Sequence, residues 1–401
     1  MAHEAAFDAV GVERLALMQW HILTGEYPPG PGGVSDYSRM VAEGLAAAGD
    51  EVVVWAPQGQ AAQAAQAAQT GQAGQVTVRW LPDQFGPRSL YILSRELRSS
   101  ERRRLLVQYV PHAFGWKAAN LPFCLWLRSR GRGRESVWVM FHEVAFPFDR
   151  DAPLRLNGLA ATHRLMARLV AGAAERAFVS IPAWRAGVES LTPCGTPVEW
   201  LPVPSGIPFV GDERASAAIH SRYANGHALV GHFGTYGRHM RHLLTECLPV
   251  LAARCDCRLL LLGRDSETVA SELAAGFPAL KGRVHGAGAL GPDDVSRHVS
   301  ACDVMLQPYP DGISSRRTSA MAALSHARPV VTTSGPLTED VWEASGAAVL
   351  VPVADASGLA EATAALATNP ERCARLAERA RTLYRTHFDL PHTITTLRST
   401  P

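Results

Sequence analysis

Short apolar segments alternate with stretches of helical length along most of the chain. In the first half these segments are residues 15–23, 51–57, 76–82, 104–111, 136–143 and 176–182. Their length and their content of Val, Leu and aromatic residues are typical of buried strands. Strands that alternate with helices form parallel sheets covered on both faces, so the pattern predicts the α/β class.

The same alternation restarts after VPVPSGIP, residues 202–208, which we interpret as a linker. Six further segments predict strands at 227–234, 257–263, 283–288, 303–309, 328–335 and 347–353. Since 401 residues exceed one ordinary core, we predict two doubly wound parallel-sheet domains that face each other across a cleft. The predicted domains are residues 1–205 and 206–384, with a C-terminal helix near 385–401 packed back on the first.

A glycine-rich loop follows the first predicted strand of each domain. GEYPPGPGG, residues 25–33, leads into a helix that we expect to begin near Ser35 and to end at Gly49, and GHFGTYGR spans residues 231–238. Glycine lets backbone approach a ligand, and the start of a helix attracts phosphate. The residues expected to face such a ligand are Gly32, Gly33, Val34, Gly234, Thr235 and Arg238. A loop that merely turns the chain is the alternative.

A third loop, PDGISSRR, follows the predicted strand at 303–309. We expect its backbone N–H groups to lie at the start of a helix that begins at about Arg316. Cations at a helix start oppose the helix dipole, so the pair Arg316 and Arg317 suggests an anion beside them, with solvated arginines as the alternative. The residues expected to present this backbone are Gly312, Ile313, Ser314 and Ser315.

Composition excludes several classes of protein. The formal net charge of +2 gives no case for nucleic acid binding, and no apolar run is long enough to span a bilayer. Seven scattered cysteines fit reduced thiols, and the N-terminal residues do not have the pattern of a secretory signal. We therefore expect a cytoplasmic protein. The absence of GxGxxG after the first strand, and of GxxxxGK[ST], argues against a nicotinamide enzyme and a P-loop protein.

Three other stretches carry less weight. The glutamine-rich residues 60–75 are of low complexity and predict an insertion without a catalytic role. Basic runs at 102–104 and 128–134 are interpreted as solvated loops. An anionic membrane or a phosphorylated acceptor is the lesser possibility for these runs, and the oligomeric state stays open.

Two long stretches resemble a known family. GEYPPGPGGVSDYSRMVAEGLAAAGDEVVVWAP and DVMLQPYPDGISSRRTSAMAALSHARPVVTT are similar to the first and last signature regions of the retaining glycosyltransferases of family four, which have two Rossmann-like domains (GT-B). Members move a sugar from a nucleotide diphosphate sugar to an acceptor, keep the anomeric configuration and usually need no metal. The resemblance thus implies a UDP- or GDP-linked sugar donor, a small-molecule or glycan acceptor, and no cofactor.

The resemblance also implies roles for matching residues. His142 would contact the donor sugar, Gly234, Thr235 and the backbone of 312–314 the diphosphate, and residues 284–287, including Val284 and Gly286, the base. The chain departs from the pattern where members carry two glutamates eight positions apart, because Asp311 and Ser319 stand there. The usual Arg position holds His232, with Arg238 or Arg241 in place of the Lys. Arg316 and Arg317 would then supply the cation, and Glu339 is a carboxylate free to face the ribose.

These considerations give catalytic roles to His142, Asp311, Arg316 and Arg317. We assign His112 and Glu143, each at the end of a predicted strand, to the acceptor side. No metal site is predicted, since His239 and His242 lack a third ligand. Two alternatives stay open: an inverting transferase with His142, Asp36 or His21 as its base, and an inactive sugar-nucleotide sensor, which the serine at 319 favours. The high Ala and Arg content hints at bacterial natural-product or envelope glycan synthesis.

Overall fold

The computed structural model describes residues 18–30, 32–59, 76–97, 103–131, 135–151 and 153–399. The N-terminal residues, the insertion at 60–75 and parts of both basic runs lie outside the described residues.

The first half contains a parallel sheet of seven strands in the order β3-β2-β1-β4-β5-β6-β7. Its strands are β1 (Gln19–Thr24), β2 (Glu51–Pro57), β3 (Val76–Leu81), β4 (Arg103–Tyr109), β5 (Ser136–Phe141), β6 (Arg176–Val179) and β7 (Val198–Trp200). The helices between them are α1 (Gly33–Ala47), α2 (Pro87–Glu96), α3 (Leu121–Arg130), α4 (Leu154–Ala171) and α5 (Arg185–Glu189). Short helical turns lie at Trp116–Ala118 and Pro182–Trp184.

The second half contains a parallel sheet of six strands in the order β10-β9-β8-β11-β12-β13. These are β8 (Leu229–Phe233), β9 (Arg258–Leu262), β10 (Val284–Gly286), β11 (Val304–Gln307), β12 (Val330–Ser334) and β13 (Ala348–Pro352). Its helices are α6 (Glu213–Ala224), α7 (Arg238–Arg254), α8 (Ser266–Gly276), α9 (Pro292–Ala301), α10 (Thr318–Ser325), α11 (Asp340–Ser345), α12 (Ala356–Ala367) and α13 (Pro370–Leu383). A turn at Pro278–Leu280 and a π-helical turn at Tyr384–Phe388 complete it, before α14 (Leu390–Arg398).

The predicted fold class is confirmed, because both halves are parallel α/β sheets covered by helices. Three details differ from our expectations. The helix α1 begins at Gly33 rather than near Ser35, and α10 begins at Thr318 rather than Arg316. The short strand β7 was not predicted, since three residues are too few to form a hydrophobic period. The residue bounds of the two domains stay predictions.

Each face of the first sheet is buried under its own set of helices. Leu93, Phe123 and Met166 of α2, α3 and α4 join one apolar core. Val41 of α1 and Leu397 of α14 join the core on the other face. The last helix of the chain therefore packs against the first sheet.

Close approach of helix α14 to α1 depends on a glycine. A Cβ on Gly44 would come within 2.7 Å of the Ile394 side chain. Beside this contact, Arg398 Nε lies 3.0 Å from the buried carboxylate of Asp50. The chain terminus is thus held by packing and by a partly buried ion pair.

Buried histidines in both sheets are held neutral. His21 on β1 accepts a hydrogen bond of 2.9 Å from Trp55 Nε1. Burial, with a smaller contribution from the charge of Arg103, lowers the pKa of His21 to about 4. Burial also lowers the pKa of His142 to about 3 and that of His232 to about 4. Since protonation would charge an apolar site, acid should oppose folding at each position.

We expect His21→Gln to flatten the pH dependence of stability. Between pH 6.5 and about 4 the unfolded chain binds a proton at His21 and the folded chain does not, so this residue makes stability fall as the pH falls. Removing it should reduce the slope of the unfolding free energy by up to about 1.4 kcal/mol per pH unit. Urea unfolding across this window measures the slope. The exposed His239→Gln is the control, and equal slopes for both variants would contradict the assignment.

Candidate active site

The carboxyl ends of parallel strands lie at one edge of a sheet. Here the loop after β11 of the second sheet contacts residues that end or follow β5, β6 and β7 of the first, so the two edges meet at a cleft. The first loop, after β1, is fixed by hydroxyl groups. Ser35 Oγ donates to the carbonyl of Gly30 at 2.7 Å, and Thr24 Oγ1 to that of Glu26 at 2.7 Å. The Cβ position of Gly33, the first residue of α1, has no atom within 4 Å. A ligand can therefore approach the unpaired amide groups at this helix start.

His142 lies just beyond β5 and is almost fully buried. Its Nε2 is 2.8 Å from Gln108 Oε1, and the Tyr37 ring packs edge-on against it at 4.8 Å between centroids. With a pKa lowered to about 3 by burial, it is a neutral hydrogen-bonding group. A proton acceptor at neutral pH needs a pKa much nearer to 7.

Sequence analysis missed Glu26, which joins His112 and Glu143 at the mouth of the cleft. His112 Nδ1 is 3.8 Å from Glu143 Oε2. Burial and the charge of Glu143 raise the pKa of Glu26, whereas His112 lowers it. The Glu26 carboxylate lies directly against the Cβ position of Gly32. A lone carboxylate in a Gly/Pro loop was the signal that could have found it.

The turn after β11 carries four of the predicted donor-side residues, 312–315. Gly312 has φ of +84° and lies against the backbone of Gly335, an arrangement open only to glycine. Our expectation that this turn presents all four of its amides to a ligand is wrong for three of them. Gly312 N donates to Tyr309 O at 3.1 Å, Ile313 N to Thr333 O at 2.8 Å and Ser315 N to Glu339 Oε1 at 2.8 Å, which ties the turn to β12 and to α11. Ser314 and Ser315 are fully buried, and Ser314 Oγ has no hydrogen-bond partner.

Arg316 and Arg317 follow this turn and precede α10, so our placement of both inside the helix was wrong. Arg317 Nη2 is 3.3 Å from Asp311 Oδ2, and Arg316 lies 3.8 Å from the same carboxylate. Arg316 also reaches the first domain, 3.7 Å from Glu143 and 5.3 Å above the Trp184 ring. It therefore bridges the two sides of the cleft.

The two guanidinium groups are incompletely satisfied. The Nε atoms of Arg316 and Arg317 are buried and have no hydrogen-bond partner. Burial and the neighbouring Arg317 charge both lower the pKa of Arg316. A bound anion would accept hydrogen bonds from the two Nε atoms, and its negative charge would stabilise the two neighbouring guanidinium cations.

Ser315 joins the turn to the first domain. Its Oγ lies 2.8 Å from Ser180 O and accepts from Trp200 Nε1 at 3.0 Å. Its carbonyl accepts from the amide of Val203 at 3.1 Å. Ser180 Oγ in turn lies 3.5 Å from the carbonyl of His142. The turn and the end of β5 are thus linked through one chain of hydrogen bonds.

Our expectation that Glu339 is free to face a ribose is wrong. Its Oε1 accepts from the amide of Ser315 at 2.8 Å and lies 2.6 Å from Ser315 Oγ, while its Oε2 accepts from Trp342 Nε1 at 2.7 Å. Both oxygens are used inside the second domain, and burial raises the pKa of this carboxyl. Glu339 therefore positions the turn.

The second glycine loop continues the same surface. Arg317 lies 4.9 Å above the ring of Tyr309, whose OH is 2.8 Å from Ser319 Oγ. The Cβ position of Gly234 is 4.0 Å from Ser319 Oγ and 3.7 Å from His232 Nε2. Thr235 and Arg238 are exposed beyond it.

Not every predicted residue joins this cluster. The Val284 side chain is buried in the core of the second domain, so only its backbone can meet a ligand. Gly286 packs against the backbone at the start of α8. Two of the alternative bases lie elsewhere: His21 is inside the first sheet, and Asp36 packs beside Gly206 of the linker.

A separate cavity of about 1590 Å³ lies beside the linker, lined by residues that include Asp36, Gly206 and His326. Of the residues that we considered for the site, only Asp36, an alternative base, lines it. Within the described ranges, no group of three or more His, Cys, Asp or Glu side chains is arranged to hold a metal. No helix in that part of the chain is long and apolar enough to cross a membrane.

The second half matches a known family. Residues 227–369 match the family described as Glycosyl transferases group 1. No curated protein matches the sequence significantly.

Solved structures give the architecture. Sucrose-phosphate synthase from Thermosynechococcus elongatus is 16% identical with a TM-score of 0.67, over 95% of this chain and 97% of that chain. Anabaena Alr3699/HepE, solved with UDP and glucose, is 14% identical with a TM-score of 0.67, over 95% and 98%. A glycosyltransferase from Rickettsia africae is 11% identical with a TM-score of 0.68, over 95% and 97%. These similarities establish the GT-B fold.

The fold and the family match define the class of protein: it is a glycosyltransferase of GT-B architecture. A group 1 glycosyltransferase domain occupies residues 227–369 of its second half. The cluster at the cleft therefore lies where the two domains of such an enzyme meet.

We expect Glu339→Ala to destabilise the protein by about 3 kcal/mol, because it leaves the Ser315 and Trp342 donors buried without an acceptor. Glu339→Gln keeps one carbonyl oxygen and should cost less. Urea unfolding measures both variants. Glu343→Ala, exposed on the helix α11 that follows Glu339, is the control and should change stability by no more than about 0.5 kcal/mol. A Glu339→Ala variant as stable as this control would contradict the positioning role.

Proposed function

We propose that the protein transfers a sugar from a nucleotide diphosphate sugar to an acceptor, with retention of anomeric configuration and without a metal ion or other cofactor. The group 1 family match and the fold support this proposal. So does the structure of Alr3699/HepE, which holds UDP and glucose within the same architecture. The sugar, the base and the acceptor are not assigned.

The proposal depends mainly on the arginine pair. Arg316 and Arg317 directly follow the 312–315 turn, and their Nε atoms are buried without a partner. Three amides of that turn already donate within the protein, so the guanidinium groups are the donors on which the proposal rests. This pair of groups fits a diphosphate, which carries several acceptor oxygens and negative charge. Asp311 and Glu143 lie beside the two guanidinium groups and partly balance their charge.

In the proposed step the bond from sugar C1 to the diphosphate oxygen breaks, and the acceptor oxygen bonds to C1 on the same face. The acceptor proton passes to the departing phosphate oxygen, so no protein nucleophile is needed. The two arginines stabilise the charge that develops on the leaving group, which is the part of the reaction that a fixed set of donors accelerates most.

A reaction with retention of anomeric configuration is favoured because none of the three candidate bases is placed to take a proton from the acceptor. His142 is neutral and bound to Gln108, His21 is inside the sheet, and Asp36 faces the linker. An inverting reaction needs a base beside the acceptor. One observation favours an inverting transferase as the second candidate function. Glu26 lies at the mouth of the cleft, and burial raises the pKa of its carboxyl.

We expect Arg316→Ala and Arg317→Ala each to lower kcat by about 10²-fold, because each removes charge stabilisation from the leaving group. Binding of UDP or GDP, measured by calorimetry, should weaken about tenfold or more. Arg254→Ala, exposed at the end of α7, is the control and should leave both quantities unchanged. Full activity in both arginine variants would overturn the phosphate assignment.

We expect the first-formed product to have the anomeric configuration of the donor, as measured by proton NMR during early turnover. In a retaining enzyme Glu26→Gln should keep kcat within about tenfold, since this carboxyl is no general base. A loss of roughly 10³-fold, together with an inverted product, would instead establish Glu26 as the base of an inverting transferase.

A further inference from the structure

Exposed apolar side chains are concentrated on one part of the first domain. Among the described residues nine large apolar side chains are exposed, and eight of them lie between residues 91 and 165. They are Tyr91, Trp116, Leu125, Phe146, Phe148, Leu154, Leu156 and Leu165. Single exposed apolar residues are ordinary, but a concentration of this size marks an interaction surface.

Five of these side chains lie on the helices α2, α3 and α4, and the other three lie in segments that adjoin them. The helices α2, α3 and α4 bury Leu93, Phe123 and Met166 in the same core, on one face of the first sheet. Their opposite sides therefore form a common outer surface. We call this surface, with the adjoining segments 115–118 and 146–151, the α2–α4 face.

The α2–α4 face is strongly basic. Its exposed basic residues are Arg88, Arg95, Lys117, Arg150, Arg155, Arg164 and Arg168, and its exposed acidic residues are Asp149 and Asp151. Seven cations against two anions leave an excess of five positive charges. The whole chain has a net charge of only +2, so the basic charge is segregated onto this face.

Apolar and basic groups alternate closely at the end of the face that borders the cleft. The guanidinium of Arg164 lies 3.8 Å above the ring of Phe148, and its Nη1 donates to Phe146 O at 2.9 Å. The Phe146 ring stacks on His112 with 6.4 Å between centroids. The face thus extends up to the mouth of the cleft.

We propose that the α2–α4 face docks on the surface of an anionic lipid bilayer. Aromatic and leucine side chains enter the boundary between headgroups and acyl chains, while arginine and lysine attract anionic headgroups. Docking in this orientation holds the mouth of the cleft at the lipid surface, within reach of a membrane-resident acceptor. That consequence rests on the proposed function, whereas the docking itself does not.

The test uses the full chain and vesicles, with no donor or acceptor present. We expect the protein to sediment with phosphatidylcholine vesicles that contain about a third phosphatidylglycerol, and to stay free with pure phosphatidylcholine. Raising the salt concentration should release it, because the attraction between exposed charges is screened. Absence of binding to the anionic vesicles would overturn the proposal.

Paired variants identify the surface. Arg155→Glu with Arg168→Glu should weaken binding to anionic vesicles by about tenfold or more, and Phe148→Ser should weaken it without altering the net charge. Arg372→Glu with Arg375→Glu, exposed on α13 of the other domain, makes the same change in charge and should leave binding nearly intact. Circular dichroism checks that each variant is folded. Equal losses in the two double variants would show that only net charge matters and would overturn the assignment of this face.

Discussion

The hydrogen bonds of Ser315 are the contact on which the arrangement of the cleft depends. Its amide donates to Glu339, while its hydroxyl and carbonyl meet Ser180, Trp200 and Val203 of the first half. A buried carboxylate is costly unless it is fully hydrogen bonded. Glu339 meets this condition with donors from Ser315 and Trp342, so the burial cost is offset only while the turn keeps its shape. One polar network therefore determines both the turn and its contact across the cleft.

The two arginines take their position from the same network. They are the two residues after Ser315, so the hydrogen bonds of Ser315 fix the position from which both side chains start. Their charges would repel each other in a site that is largely buried, and Asp311 together with Glu143 moderates this repulsion. These contacts are between 3.3 and 3.8 Å, longer than the best charge-assisted hydrogen bonds. Such partners hold the arginines in place and can still be exchanged for a better anion.

Sequence could predict the sheets because each strand is a local apolar run bounded by turn residues. It also located the glycine loops and the arginine pair, since both are local patterns. The errors arose where tertiary contacts decide the outcome. Glu339 looked available because its partners, Ser315 and Trp342, meet it only in the folded domain. Glu26 was overlooked for the same reason: its raised pKa comes from burial and from Glu143, more than a hundred residues away in the sequence. The strand β7 was too short to give a period.

The contacts of Arg316 connect these observations with the proposed reaction. This residue holds Glu143 of the first domain and Asp311 of the second at the same time. A donor diphosphate that binds Arg316 would compete with Glu143 and so release that carboxylate into the cleft, beside His112 and Glu26. Glu143 would then lose part of the positive charge that Arg316 now provides. In the proposed reaction the donor phosphate and the acceptor side therefore share one cation, Arg316, which follows the turn that Ser315 and Glu339 hold.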